Sequence, residues 1–473
     1  MASIDPETEL TAGLAALLGA GPGEEPTEVR IEQLRRLSGG ASRETWSFQA
    51  VDGTGTPRPL ILQRARPGIA TMSGPSMAVE DRLLDAAEQA GVPVPSVVVD
   101  VATASAVLGD ARVTAHIDGE ALGPRIVRDD RYGAARARLA QQCGRALAAI
   151  HSIETDRVPG LEPVEPLARL RNGLDLVGEA RPAFELALRW LHDHEPPPRP
   201  ASVVHGDFRL GNLIVDETGL RAVLDWELTH LGDPTEDLGW LCVRSWRFGG
   251  PGVVGGVGEL DDLLSAYREA GGGDVDPTAV HWWMVAGTLT WGLICAVQAR
   301  RHLDGHVRSV ELAAVGRRVC ETEYDLLQLL GVPPAEPRAP GDGRAAEAAD
   351  ATEGAGGLHG RPTAVELVDA VGGHLTGDLA PQLSGADAFH TKVAANALAM
   401  VGRELRLGPA MAQAAAGRLR DLGFTDEADL AAAVRQRRSL GAAPAAVEAV
   451  VRSIVVDRLR VANPRWLQPP DGP

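Results

Sequence analysis

The sequence predicts an α+β fold followed by a small all-helical domain. Short runs of alternating apolar and polar residues, typical of strands, occupy much of residues 30–117. Apolar residues with helical spacing recur from residue 137 onward. A stretch rich in Pro, Gly, Ala and acidic residues, 332–360, then forms a linker before a last region of helical periodicity.

Two strands are predicted near the start of the chain, at 30–37 and 45–51, with a glycine-rich turn between them. The turn consists of Gly39, Gly40, Ala41 and Ser42. Glycines allow backbone N–H groups to approach phosphate oxygens because no Cβ stands in the way. Alone, such a turn is more often a plain hairpin, but the loop at residues 205–212 favours a phosphate-binding role.

A third strand is predicted at 59–64. Where a glycine turn covers nucleotide phosphates, this strand normally carries a lysine for the α- and β-phosphates, and here it has none. Side chains alternate between the faces of a strand, so either Gln63 or Arg64 faces the nucleotide, and only Arg64 is charged. We expect Arg64 to bind the phosphates, with Glu80 of the next helical pattern as its partner carboxylate. The alternative for Glu80 is a solvated acid at a helix start.

Strands at 97–99 and 113–117 are predicted next, and a helix at 137–151 follows them. The kinase-like pattern at residues 205–225, described next, implies that the second of these strands forms the hinge of a nucleotide site. The backbone of Thr114 and His116 would then meet the adenine ring, with the His116 side chain packing at the hinge.

The segment Val203–Glu227 carries the densest set of chemically capable side chains. After a strand end and a His205–Gly206 turn, Asp207 stands five positions before Asn212. D-x-x-x-x-N is the spacing of kinase catalytic loops, in which the Asp accepts the proton of the attacking hydroxyl and the Asn binds magnesium on the phosphates. We therefore predict that Asp207 is the catalytic base and Asn212 a metal ligand.

Apolar alternations at 213–215 and 221–224 flank a turn-forming Asp-Glu-Thr-Gly cluster and predict a hairpin. A hairpin returns the chain to its start, so Asp225 should arrive beside Asn212 and offer the carboxylate oxygen that magnesium prefers. A lone aspartate in a chain with 64 acidic residues is normally a solvated turn residue. The full pattern H-G-D-x-x-x-x-N followed by D-W-E at hairpin distance favours the catalytic interpretation.

These motifs resemble the aminoglycoside phosphotransferase family, which has a bilobal protein-kinase-like fold. The resemblance rests on His205-Gly206-Asp207, Asn212, Asp225-Trp226-Glu227, Gly232-Asp233-Pro234 and Asp237-Leu238. The run LDWELTHLGDPTEDLGWL is most similar to the branch found as the N-terminal domain of some acyl-CoA dehydrogenases, in which arginine is common near the third strand. The resemblance spans about residues 28–330 and is most specific around the loop.

The resemblance implies a small mixed β N-lobe (28–116) and a mainly helical C-lobe (117–331), after an N-terminal tail or helix (1–27). It also implies ATP and Mg2+ as cofactors, Asp237 as the acid that tethers the catalytic-loop backbone, and a hydroxyacyl-CoA as acceptor. Arg244, Arg247, Arg300 and Arg301 are candidates for the CoA phosphates, with ordinary surface arginines as the alternative. Only seven residues separate Asp225 from Asp233, which leaves no room for a protein-kinase activation segment, so a small-molecule acceptor is favoured.

Residues 361–473 are predicted to form a small all-helical domain of unknown function, from helical spacing at 364–375, 393–405 and 447–454. Short motifs in it resemble a domain that bacteria often encode beside this kinase branch. No chemistry follows from this region, and we expect a protein partner for it.

Composition restricts partners and location. The net charge of −18 argues against nucleic acid and against an acidic membrane surface. No window approaches the roughly 20 apolar residues of a transmembrane helix, and no targeting segment is evident. We therefore expect no membrane insertion. The four cysteines show no C-x-x-C pairing, which predicts reduced core thiols of a cytoplasmic protein.

The function that these patterns predict is ATP- and magnesium-dependent phosphorylation of a hydroxyl on a small molecule. One alternative is an antibiotic kinase that acts on aminoglycosides or macrolides. Another is a pseudokinase adaptor that binds nucleotide or acyl-CoA. The missing strand lysine favours the adaptor, whereas the intact Asp207, Asn212 and Asp225 oppose it.

Overall fold

The structure is a computed structural model of the 473-residue chain. It describes residues 6–20, 27–37, 43–65, 74–334, 361–438 and 443–468. Gly39, Gly40, Ala41 and Ser42 lie outside the described residues, so their phosphate-binding role stays a prediction. The chain forms two compact units, Met1–Val164 with Pro197–Trp283 and Glu165–Pro196 with Met284–Pro473, and each is treated by itself below.

The helices and strands follow one another as an α+β chain with a helical C-terminal part. In order they are α1 (Pro6–Gly19), β1 (Arg30–Arg36), β2 (Arg43–Val51), β3 (Pro57–Ala65), α2 (Met77–Gln89), β4 (Val97–Val99), α3 (Val101–Leu108), β5 (Ala111–Ala115), α4 (Gly123–Arg128), α5 (Gly133–His151), α6 (Pro166–Val177), α7 (Pro182–Asp193), β6 (Ser202–Val204), β7 (Leu213–Asp216), β8 (Gly219–Val223), β9 (His230–Gly232), α8 (Thr235–Leu241), α9 (Leu260–Tyr267), α10 (Pro277–Leu303), α11 (Val310–Val315), α12 (Val319–Leu329), α13 (Ala364–Gly373), α14 (Gly385–Asp421), α15 (Glu427–Arg435) and α16 (Pro444–Ala462). The predicted α+β fold with an all-helical C-terminal region is confirmed.

The first unit contains a five-stranded antiparallel sheet in the order β1-β2-β3-β5-β4. One face of the sheet buries Phe48, Leu60 and Leu62 in a cluster that also holds Leu10 and Leu14 of α1. The opposite face meets α2. Because side chains alternate along a strand, odd-numbered residues of β2 and β3 point to the α2 face.

Two short pairs of strands in the first unit flank residues 205–212. β6 pairs with β9, and β7 pairs with β8, both antiparallel. Helix α5 supports them from the core, where Leu139, Cys143 and Leu147 are buried as the predicted apolar stripe requires. The segment between β6 and β7 is therefore anchored at both ends.

The second unit is helical throughout the residues that the structure describes. Its core joins Ala183 of α7 and Leu327 of α12 with Phe424, Leu430 and Val451 of the C-terminal region. The C-terminal helices thus share one apolar core with α7 and α12. The domain boundaries predicted from the sequence differ from the boundaries of the two units and stay a prediction.

One helix in the described ranges, Pro277–Leu303, is long and apolar enough to cross a membrane, and 72% of its apolar window is buried inside the protein. Trp282 and Trp283 within it are buried. Cys143, Cys242, Cys295 and Cys320 are buried free thiols. Burial raises the pKa of each of these thiols to about 12, which keeps them protonated and unreactive.

Candidate active site

The turn that precedes Asp207 is held by one buried carboxylate. Asp237 of α8 accepts the backbone N–H of His205 at 2.7 Å and that of Gly206 at 2.9 Å. His151 lies 3.1 Å from the same carboxylate and, through its other ring nitrogen, 2.8 Å from the hydroxyl of Tyr267. The geometry is the one implied for Asp237, and it ties the loop to α5, α8 and α9.

Gly206 is required at this turn for two reasons. Its φ is +80°, a conformation that side-chain-bearing residues rarely adopt. A Cβ on Gly206 would also stand 2.5 Å from the carbonyl oxygen of Leu228. The chain therefore approaches too closely here for any other residue.

His205 orients the loop backbone. Its Nε2 lies 3.1 Å from the carbonyl oxygen of Leu224, and its Nδ1 accepts the backbone N–H of Asp207 at 3.2 Å. Since Nδ1 accepts, the proton sits on Nε2 and donates to Leu224. Burial lowers the pKa of His205, which favours this neutral form.

Three donors fix the carboxylate of Asp207. Oδ1 accepts Nε of Arg209 at 2.8 Å and Nε1 of Trp240 at 2.9 Å, and Oδ2 accepts Nδ2 of Asn212 at 2.6 Å. The guanidinium of Arg209 lies 4.5 Å from the centroid of the Trp246 ring. The predicted base is thus buried, rigidly oriented and next to a fixed cation.

The hairpin brings Asp225 to Asn212, as the sequence predicted. Leu213 pairs with Val223, and the N–H of Leu224 donates to the carbonyl oxygen of Asn212 at 2.8 Å. The amide nitrogen of Asn212 faces Asp207, because an oxygen there would be repelled by the carboxylate. The amide oxygen therefore points away from Asp207 and suits a cation.

Asp225 carries surplus negative charge. Burial, and then the carboxylates of Glu227 and Asp207, raise the pKa of Asp225 to about 7, although Arg43 and Arg209 act in the opposite sense. The side chain of Asp225 is exposed to solvent. Protein atoms surround it closely enough to raise its pKa without excluding water, and the carboxylates of its neighbours repel its negative charge. Asp225 also has a φ of +66°, unusual for a residue other than glycine.

A hard divalent cation fits this donor set if further ligands come from outside the chain. In the described part of the chain, no three His, Cys, Asp or Glu side chains converge closely enough to hold a metal alone. Mg2+ commonly uses one or two carboxylates and completes its octahedron with phosphate oxygens and water. Asn212 and Asp225 would then be the protein ligands of a metal held on nucleotide phosphates.

The structure contradicts the predicted pairing of Arg64 with Glu80. Glu80 is fully buried, and it accepts hydrogen bonds from Arg43 at 2.6 Å and from Arg112 at 2.5 Å. Arg64 instead donates to Glu44 at 2.8 Å. The pairing is wrong because Arg64 points to the sheet face of Leu60 and Leu62, away from α2. The predicted binding of nucleotide by Arg64 and by Glu80 stays a prediction.

The hinge segment uses its backbone in the sheet. Thr114 is in register with Ile61 on one side and Val97 on the other. The N–H of His116 donates to the carbonyl oxygen of Pro59 at 3.2 Å. Adenine contact at Thr114 and His116 stays a prediction. Such a contact would have to be made by their carbonyl groups or by residues after His116.

Sequence reasoning missed four residues at the site: Arg209, Trp240, Arg43 and Arg112. Arg209 had a visible signal, since it lies inside the H-G-D-F-R-L-G-N run, two positions after the predicted base. Trp240 is 33 residues from Asp207, and Arg43 is 37 residues from Glu80. No local pattern could have joined those pairs.

Family comparisons divide the chain into two matched parts. The profile of a family described as phosphotransferase enzyme family (APH) matches residues 33–282. The profile of a domain of unknown function, DUF6285, matches residues 381–466. The first match contains every residue described above at the loop and around Glu80.

Curated relatives match the same part of the chain. Acyl-CoA dehydrogenase family member 10 of Mus musculus is 29% identical over 229 residues, which are 45% of this chain and 20% of the mouse protein. Acyl-CoA dehydrogenase family member 11 of Rattus norvegicus is 25% identical over 253 residues, 47% of this chain and 31% of the rat protein. The chain therefore spans less than a third of the length of either relative.

A solved structure assigned as an aminoglycoside phosphotransferase of Ralstonia eutropha superposes with a TM-score of 0.53 at 22% identity. The match covers 68% of this chain and 98% of that protein. At this identity the likeness shows the fold alone, which is the kinase-like fold.

Proposed function

The chain belongs to the phosphotransferase enzyme family, and we propose that it transfers the γ-phosphate of ATP to a hydroxyl of a small molecule, with Mg2+ as the metal. The observation that carries this proposal is the convergence of Asp207, Asn212 and Asp225 on one tethered loop and hairpin. A pseudokinase has no need of a base held by three donors beside a metal-suited pair of oxygens. The intact site therefore favours catalysis over an adaptor role.

In the proposed reaction Asp207 orients the acceptor hydroxyl and accepts its proton. Its three hydrogen bonds hold the carboxylate in one orientation, and phosphoryl transfer depends mainly on such positioning and on electrostatics. Arg209 places a fixed positive charge beside the base. When bound at Asn212 and Asp225, Mg2+ supplies the positive charge that offsets charge developing on the phosphates.

We propose a hydroxyacyl-CoA as the acceptor, supported by the likeness to acyl-CoA dehydrogenase family members 10 and 11. The predicted arginine patch gives this only limited support. Arg247 donates to the carbonyl oxygen of Cys242 at 2.8 Å, and Arg300 donates to that of Val177 at 2.8 Å. These two arginines hold backbone segments in place, so the acceptor class rests on the relatives.

The test is an assay of full-length protein with ATP and Mg2+ against hydroxyacyl-CoAs, aminoglycosides and macrolides, read by mass spectrometry of phosphorylated product. Asp207→Ala is the inactive variant, and Asp261→Ala, an exposed aspartate at the start of α9, is the matched control. We expect one acceptor class to gain phosphate with wild type and Asp261→Ala only. Tight nucleotide binding without product from any acceptor would favour the adaptor.

We further propose that the protein acts in the cytoplasm and that its C-terminal helices bind a protein partner. The four buried free thiols support the location. Exposed apolar side chains on α13 and α14 support a partner, namely Leu367, Val371, Phe389, Val401 and Leu405.

A further inference from the structure

The third strand has no cation on the face that meets α2. In kinases a lysine of this strand pairs with a glutamate of the following helix and contacts the nucleotide phosphates. Here Gln63 takes that side of β3, and its Oε1 accepts Nε of Arg112 at 2.9 Å. Glu80 of α2 is nevertheless fully buried between two arginines. The positive charge is present but comes from other strands.

Arg43, the first residue of β2, lies between Glu80 and the acidic residues of the metal site. Its Nη1 and Nη2 both donate to Glu80. Its Nε is 4.0 Å from Oε2 of Glu227, and its charge acts on Asp225. A guanidinium has five N–H donors, so donors remain on the side of Glu227. In sequence, Arg43 directly follows residues 39–42, the predicted phosphate-binding turn.

The other two arginines are placed differently. Arg112 donates to Glu80, to Asp81 at 3.2 Å and to Gln63, so its bonds run to α2 and along the sheet. Arg64 lies on the opposite face with Glu44. Of Arg43, Arg64 and Arg112, it is thus Arg43 that lies close to Glu227 and Asp225 at the end of the hairpin.

Resting on the proposed function, we infer that Arg43 of β2 supplies the cation that binds the nucleotide phosphates in place of a lysine on β3. Glu80 anchors it, and Arg112 keeps Glu80 paired on its other side. The planar fork of an arginine suits two phosphate oxygens at once, whereas lysine acts as a point charge.

The test is isothermal titration of full-length protein with ADP and with adenosine in Mg2+ buffer, for wild type, Arg43→Gln, Arg43→Lys, Arg64→Gln and Arg58→Gln. We expect Arg43→Gln to weaken ADP binding by about 10- to 100-fold, as loss of a charge-assisted phosphate contact does. Adenosine affinity should stay within about twofold, because adenosine has no phosphate. Arg64→Gln tests the competing assignment of the cation to β3, and Arg58→Gln, on an exposed arginine of the same strand, is the matched control that should leave both affinities unchanged.

Arg43→Lys guards against a folding defect, because it retains the charge beside Glu80. Its melting temperature should fall less than that of Arg43→Gln, because a charged donor to Glu80 is kept, while ADP binding weakens by about tenfold, since the bidentate fork is lost. Unchanged ADP affinity in both Arg43 variants would overturn the inference, as would equal losses for ADP and adenosine. A loss of ADP binding in Arg64→Gln would show that the phosphate-binding cation is Arg64 of β3.

The same titration separates this inference from the proposed function. If wild type binds ADP through Arg43 but phosphorylates no acceptor, the proposed function fails and the phosphate contact stands. If wild type binds no nucleotide at all, both fail.

Discussion

Two groups of acidic side chains in this protein differ in how their negative charge is compensated. At the catalytic loop, burial and then the neighbouring carboxylates of Glu227 and Asp207 raise the pKa of Asp225 to about 7. On α12, Glu321, Glu323 and Asp325 are 3%, 0% and 3% exposed. The α12 acids are thus more deeply buried than Asp225, whose side chain is exposed to solvent.

The α12 acids each have a donor from the C-terminal end of the second unit. Asn463 donates to Glu321 at 2.8 Å, Arg458 lies 3.4 Å from Glu323, and Trp466 donates to Asp325 at 3.0 Å. Paired in this way, buried carboxylates fix one helix against another. In the proposed function, the negative charge at Asp225 is instead offset by a cation from outside the chain. The comparison thus sets a structural acidic cluster beside a proposed cation-binding one.

Removal of the negative charge of Asp225 should produce the largest effect, a loss of catalytic activity. Asp225→Asn keeps the shape of the side chain but replaces the charged oxygen of a proposed metal ligand with a neutral one, so we expect kcat for phosphate transfer to fall by about 10³-fold or more. Circular dichroism should show an unchanged fold. Activity within about tenfold of wild type would mean that Asp225 is not a metal ligand.

The position of Asp207 also depends on the His205–Gly206 turn, which Asp237 holds. Gly206→Ala would force a Cβ to within 2.5 Å of the Leu228 carbonyl oxygen at a φ of +80°. We expect the free energy of unfolding to fall by about 3 kcal/mol in urea titrations. Gly53→Ala is the control, since a Cβ there meets nothing within 4 Å. Equal stability of the two variants would show that the turn can relax.

Loss of a partner of the α12 acids should lower the stability of the protein and leave its catalytic activity unchanged. Arg458→Ala removes one partner of the buried Glu323, whose other partner is Arg181 at 3.4 Å. We expect the free energy of unfolding to fall by about 2 kcal/mol, because the second arginine and solvent access to Arg458 moderate the loss. Arg460→Ala, on an exposed arginine paired with Asp457, is the matched control. A loss of catalysis without a loss of stability in Arg458→Ala would break the comparison.

The smallest expected effect is on the pH dependence of stability without metal. The folded-state pKa of Asp225 lies above its unfolded value, so its contribution falls as pH rises from about 4 to about 7 and stays lost above that. Relative to wild type, Asp225→Asn should become more stable by about 1 kcal/mol at pH 8, a value reduced for solvent screening. Thermal melts at pH 5 and pH 8 in chelator check this. An equal offset at both pH values would contradict the raised pKa.

The loop and hairpin could be predicted from sequence because their geometry is local. Asp207, Asn212 and Asp225 are linked by one loop and one hairpin, so their spacing alone brings them together. The partner of Glu80 could not be predicted, because it depends on which face of β3 meets α2 and on the register of β5. The alternation rule left Gln63 and Arg64 open, and the pairing of Arg64 with Glu80 was wrong because Arg64 lies on the face of β3 that is turned away from α2.

The C-terminal region shows the same limit. Helical periodicity predicted helices near 364–375, 393–405 and 447–454, and α13, α14 and α16 are there. Periodicity identifies the apolar face of a helix but not what it packs against. The core that Leu327 of α12 shares with Phe424 and Val451 was therefore invisible in the sequence.

The most direct test of the difference between the two acidic groups is a Mn2+ titration of ADP-saturated full-length protein, followed by electron paramagnetic resonance. Wild type, Asp225→Asn and Glu321→Gln would be compared. We predict that Asp225→Asn weakens metal binding by at least about tenfold, because a charged oxygen ligand is lost, and that Glu321→Gln binds as wild type does. Wild-type metal affinity in Asp225→Asn, or a loss in Glu321→Gln, would contradict the assignment of the catalytic group as the cation site.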